Sequence, residues 1–318
     1  MPLVATVILP VFGFILAGYA AVRLRLLPQA ASRLIGGFVY WVAIPAVLFR
    51  GMSVNLPHLG GKLDFLAAYY LSSLILFAIG LILARRRWQL PLDATGVAAF
   101  GASFGNVVQI GIPLTLAALG PRGLAGHTLI VATHAIVLLS LATIVVEWGR
   151  AGADGEARGT VHRIGAAARS MILNPVILAI AAGLVWGEVG PPLPRLVAWP
   201  IDALAFIAGP AALFTTGASL TRFKLGARLE ESIVLVALKI VALPIVTWLV
   251  AAGLFGLSRD DVAVAVLAAG LPTGNNVFIL AQRYRVHEAV TASATILSTA
   301  ASAVTLSILI ALLVPAPS

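Results

Sequence analysis

Cysteine is absent from the 318 residues, which excludes disulfides, thiol nucleophiles and thiolate metal sites while leaving the compartment open. Charge is scarce too: Asp, Glu, Lys and Arg make up 10% of the chain, against about a quarter in a soluble domain, so there is too little polar surface to coat a globule. All twelve acidic residues lie outside the middle of the apolar segments, with Glu147 and Glu188 coming nearest. That distribution disfavours a proton relay through buried carboxylates. Long polar stretches are nearly missing as well, the longest being AGADGEARGTVHRIGAAARS at 151–170.

What remains is apolar. The chain is 60% hydrophobic, with a mean hydropathy of +1.04. Runs of about 20 apolar residues, the length that crosses a hydrocarbon core, fall at 3–22, 32–51, 65–84, 94–118, 126–148, 171–188, 200–219, 232–255, 262–281 and 291–313. The pattern predicts an all-α membrane protein of ten transmembrane helices. The net charge of +9 is a topology signal rather than a mark of nucleic-acid binding. Odd-numbered loops carry 15 Lys and Arg and even-numbered loops 5, with Lys239 left inside a span. By the positive-inside rule the odd loops are cytoplasmic and both termini lie outside. The first span lacks a basic leader and a small-residue cleavage site, so it reads as a retained helix.

The two halves resemble each other. IPAVLF at 44–49 and GPAALF at 209–214 share four of six residues at an offset of 165, and Ala17-Gly18 matches Ala182-Gly183 at that same offset. At an offset of 169, Gly101, Gly105, Asn106, Val108 and Ile110 recur as Gly270, Gly274, Asn275, Val277 and Ile279. One duplicated unit of five helices is implied, 1–148 and 171–318, joined by a cytoplasmic linker at 149–170. Five is odd, so the second copy enters the membrane from the opposite side, an inverted repeat.

Chemistry concentrates in the fourth and ninth spans. FGNVVQIGIPL sets Asn106 and Gln109 in an apolar segment, with Gly105, Gly111 and Pro113 interrupting the helix; Pro272, Gly274, Asn275 and Asn276 repeat the arrangement in the ninth. Broken backbone inside a bilayer is tolerated only where it is buried in protein or lines a cavity, and a matched pair of breaks points to a transporter's binding site. If the broken helices cross at the midplane, their N-termini favour an anion, and the amides supply donors or acceptors. The bland reading is that Gly and Pro ease packing while the amides bond neighbouring helices.

GASFG at 101–105 fits the nucleophile elbow of serine hydrolases around Ser103. That motif needs a strand-to-helix turn, and the counterpart GLPTG has Pro272 in place of the serine, so no enzyme is expected. His287-Glu288 lacks the second histidine of a zinc motif. His134, in the fifth span, is the one mid-membrane group read as titrating near neutrality; it lines the site or is a structural, hydrogen-bonded histidine. Lys239 is expected to pair with a helix C-terminus or to snorkel, rather than to touch substrate.

FVYWVAIPAVLF, GNVVQIGIPL, NPVILAIAAGLVWGEVGPPLP, LPTGNNVFILAQRY and ATILSTAASAVTLSILIALL together resemble the auxin efflux carrier family, which includes the plant PIN carriers and bacterial organic-acid permeases such as those for malonate. The resemblance implies ten helices in two inverted repeats, broken helices 4 and 9 crossing at the substrate site, and a fold shared with bile-acid symporters. It also implies a scaffold of helices 1, 2, 6 and 7, a transport unit of helices 3–5 and 8–10, and a homodimer. Asn106, Pro113, Pro272 and Gly274 match the family's motif residues, and His134 stands where plant members have Gln. Tyr69 and Ser73 stand where plant members carry Asp and Lys, which removes the basis for a gating role of that pair.

The expectation is therefore a carrier in the cell membrane for a small organic anion, touching it through Asn106, Gln109, Asn275, Asn276 and His134, without a cofactor or metal. The alternative is a symporter coupled to sodium held near Asn106, Thr273 and Asn275, or to protons. A receptor that does not transport would need an output domain not seen within 1–318.

Overall fold

The structure, a computed structural model, describes residues 2–54, 62–154, 174–223, 226 and 228–314. Residues 155–170 of the expected linker lie outside them. The described residues are helical, with no strand beyond one isolated bridge.

The helices are α1 (Pro2–Arg23), α2 (Gln29–Val54), α3 (Lys62–Arg86), α4 (Leu92–Ser103), α5 (Gly111–His134), α6 (Ser140–Asp154), α7 (Pro175–Val189), α8 (Arg195–Leu220), α9 (Leu229–Leu254), α10 (Arg259–Gly270), α11 (Asn275–Tyr284) and α12 (Glu288–Leu313). Seven stretches of the described residues are long and apolar enough to cross a membrane, and α7 is a shorter apolar helix. One of the seven, Gly111–Arg150, runs through α5 and α6. It turns at Gly120, whose φ of 67° suits a residue without a side chain, just before Pro121.

Local chemistry sets the helix ends around the breaks. Pro272 has no N–H and crowds the residue before it, so Leu271 is extended and α10 stops there. Phe104 is likewise extended after α4. Gly111 and Pro113 open α5 instead of loosening a continuing helix: Pro113 sits in the first turn, where its missing N–H has no partner to lose. Asn174 caps α7 by accepting from the Val176 N–H at 2.9 Å, with Pro175 following it.

The helices pack in two groups. α1, α2, α7 and α8 lie on one another; α3 to α6 and α9 to α12 form the second set. Glycines make close approaches within the first group, the tightest at Gly217, where a Cβ would lie 1.7 Å from the Ile15 carbonyl oxygen. A Cβ on Gly18 would lie 1.9 Å from the Phe214 carbonyl oxygen, and one on Gly183 would lie 2.7 Å from that of Phe49. The Gly18–Phe214 and Gly183–Phe49 contacts pair residues that correspond at the offset of 165. Among the described residues, ion pairs between helices stay within a group: Arg50–Asp202 in the first, and Lys62–Asp261, Arg87–Glu230 and Arg150–Asp93 in the second. Buried hydroxyls mostly donate to a carbonyl one turn back, as Ser72 does to Ala68 and Ser73 to Tyr69, so apolar surroundings cost them no unmet hydrogen bond.

Candidate functional site

The two breaks meet. Gly105 and Thr273 form an antiparallel bridge, closed by hydrogen bonds from the Asn106 N–H to the Pro272 carbonyl at 2.8 Å and from the Gly274 N–H to the Phe104 carbonyl at 3.1 Å. Main chain freed by one break therefore satisfies main chain freed by the other.

Side chains from neighbouring helices complete the junction. His134 Nε2 accepts from the Gly105 N–H at 3.1 Å, and Ser298 Oγ accepts from the Thr273 N–H at 3.0 Å. Accepting at Nε2 puts the proton of a neutral His134 on Nδ1, 3.3 Å from the Tyr69 hydroxyl. On the far side of the break His127 Nε2 donates to the Val107 carbonyl at 2.8 Å, so the first break is strung between two fully buried histidines. Lys239, also fully buried, donates to the carbonyls of Ala269 at 2.6 Å and Leu271 at 2.7 Å. It takes the first of its two expected roles, a cation on the negative end of α10. Its ammonium lies 3.3 Å from where Gly105 would carry a Cβ, so it abuts both breaks.

Beside this junction is a cavity of about 400 Å³. Asn106, Gln109, Asn275, Asn276 and His134 all line it, with Gly105 and Gly274. Three of the expected residues lie behind the wall: Gly111 against the His127 ring, Pro113 against Gly209 of α8, and Pro272 in the bridge. Among the described residues, no Lys, Arg, Asp or Glu reaches the lining. Asn106 Oδ1 accepts from the Gln109 N–H at 3.2 Å, and Gln109 Oε1 accepts from Asn275 Nδ2 at 3.1 Å. With those oxygens engaged, the amide hydrogens of Asn106 and Gln109 remain as donors. The first N–H groups of α11 add the partial positive charge of a helix N-terminus. Asn275 Oδ1 and Thr273 Oγ1 are buried without a hydrogen-bond partner. Ser103 Oγ donates to the Ala99 carbonyl at 3.0 Å, a helix-internal bond rather than a nucleophile's arrangement.

Sequence reasoning missed His127, Tyr40 and Asn174. Tyr40 and Asn174 come to the cavity from α2 and the start of α7. A signal existed for His127, which lies seven residues before His134 and so two helical turns away on the same face. The structure adds π-turns at Val39–Ala43, Ala135–Leu139 and Leu238–Ala242, at Tyr40, beside His134 and at Lys239, with a fourth at Leu249–Leu254 away from them.

A helical protein of long apolar spans, with an amide-lined cavity at two paired chain breaks, has the architecture of a membrane transporter. The chain belongs to the membrane transport protein family, whose profile matches residues 3–310; this is the auxin efflux carrier family to which the motifs pointed. It is 32% identical over 302 residues, 92% of this chain and 90% of the relative, to a Rhizobium meliloti (strain 1021) protein named "Putative malonate transporter".

Proposed function

We propose that the protein carries a small dicarboxylate, of the malonate class, across the cell membrane by alternating access. The observation that carries the reading is the cavity itself: amide donors and a helix N-terminus converge on it, and among the described residues no acidic side chain lines it to repel an anion. The name of the Rhizobium relative points to the same substrate class.

The architecture proposed is ten spans in two inverted repeats, with α4 and the start of α5 as span 4, and α10 with α11 as span 9, crossing at mid-membrane. Both termini then lie on the non-cytoplasmic side. The exchanged Gly18 and Gly183 contacts support the two-fold relation. The packing groups correspond to a scaffold, α1, α2, α7 and α8, and a transport unit that slides against it as an elevator. Ion pairs kept within each group leave that boundary free to slide. Dimerisation through the scaffold is part of the same reading.

Asn106, Gln109, Asn275 and Asn276 contact the substrate, and His134 positions the break, since both its nitrogens face protein groups. The sodium-coupled alternative asks carbonyls at the breaks to hold a cation. Lys239 already donates to the two carbonyls at the end of α10, whereas Asn275 Oδ1 and Thr273 Oγ1 stay buried without a partner, so the sodium dependence of uptake decides between the two readings.

Reconstituted in liposomes, the protein should take up labelled malonate saturably in sodium-free buffer. Asn106→Ala combined with Asn275→Ala should weaken substrate binding by about tenfold or more, as loss of buried hydrogen-bond partners implies. Unchanged binding and uptake in that double variant would overturn the site. Uptake that requires sodium would instead restore the symporter reading.

A further inference from the structure

Away from the junction, a second cavity of about 620 Å³ lies between α1, the end of α8 and α12, on the boundary of the two packing groups. Its walls are largely apolar, with Phe12, Ile15 and Leu16 from α1, Phe223 beyond α8 and Ile296 from α12. It opens sideways through α1: Leu16 is 67% exposed and Tyr19 38%, on a helix whose hydropathy assigns it to the bilayer. The surface beside the cavity is therefore the one that acyl chains touch.

The ends of this trough differ in charge. Arg23 stands at one end, and among the described residues no carboxylate lines the walls. Arg222 follows the wall residue Thr221, and burial first, the charge of Arg33 second, weaken its hold on its proton. None of the three arginines has an ion pair among the described residues. A cationic cluster without acidic partners calls for an external anion, and the apolar trough leading from it calls for hydrocarbon. A small organic anion would leave the trough unfilled, and a zwitterionic lipid would bring a cation to the arginines.

We propose that this cleft binds an anionic glycerophospholipid, with its phosphate facing Arg23 and Arg222 and an acyl chain along Phe12, Ile15 and Leu16. Lipid lodged there touches both packing groups at once. The attraction between basic residues and anionic headgroups supplies the selectivity, and burial of the chain supplies the hold.

Native mass spectrometry of the intact protein, released from micelles holding equal phosphatidylglycerol and phosphatidylcholine, tests this without any variant. Phosphatidylglycerol should be the lipid retained. Arg23→Gln and Arg222→Gln should each lower that preference about fivefold, the weight of one basic residue near an anionic surface, and Arg86→Gln should leave it alone. Ala300→Trp, which fills the cleft, should release the lipid while the protein still melts cooperatively. Glycerol 3-phosphate in large excess should fail to displace the lipid, because it lacks the chain. Equal retention of the two lipids, an unchanged preference in the double arginine variant, or displacement by glycerol 3-phosphate would each overturn the proposal.

Discussion

Single residues around the junction divide into those already engaged and those left free. Lys239 is engaged, and its ammonium is what the carbonyls of Ala269 and Leu271 bond to in a buried place. Lys239→Met keeps most of the stem and removes the donor, so it should lower stability by about 1–3 kcal/mol, the cost of stranding buried acceptors. A melting curve in detergent reads this. Asn276→Ala, whose side chain lines the cavity, should melt much closer to the parent, which separates support from binding. His287 is a second engaged group, at the entrance to α12 with Nε2 2.8 Å from Glu231 Oε2. Burial pushes its titration below the ordinary 6.5, and although Glu231 pulls it upward, burial is the larger effect; Arg228 adds to the lowering. A group that binds its proton more weakly when folded gives stability that is present above 6.5 and lost as pH falls below it. The melting temperature should therefore drop between pH 7.5 and pH 5, and His287→Gln should flatten that drop.

At the scale of helices, the crossing of α1 with α8 and that of α2 with α7 are made by backbone at glycine. Gly18→Ala and Gly183→Ala push a methyl group against a carbonyl oxygen, so each should cost about 1–3 kcal/mol by forcing packed helices apart. Gly13→Ala, with nothing within 4 Å of its Cβ, should cost nothing of that kind. Thermal unfolding of the three variants side by side checks the ranking. Such crossings were partly legible in the sequence, because Ala17-Gly18 and Ala182-Gly183 recur at one offset with the segments they touch. The breaks were legible for a similar reason, since Gly, Asn and Pro inside apolar runs contradict an unbroken helix. Which residues serve the breaks was not. His127 and Lys239 act across helices, on Val107 and on the end of α10, and a single sequence does not record which faces of distant helices meet. Pro113 was misjudged locally, as its place in a first turn depends on where α5 begins.

For the whole molecule, the apolar spans and the family were readable from composition and motif, while the cavity drew on Tyr40 and Asn174, which lie inside two of those motifs but gave no sign of facing the breaks. The seam between the breaks has a consequence for the membrane around it. Asn106 to Pro272 and Gly274 to Phe104 are main-chain bonds, and with Lys239 behind them the chain's polar groups at the junction are satisfied by one another rather than turned to a file of water. The protein should be electrically tight. A planar bilayer holding it, under an applied voltage and with salt on both sides, should keep the resistance of bare lipid, and single-channel steps would show that the seam opens.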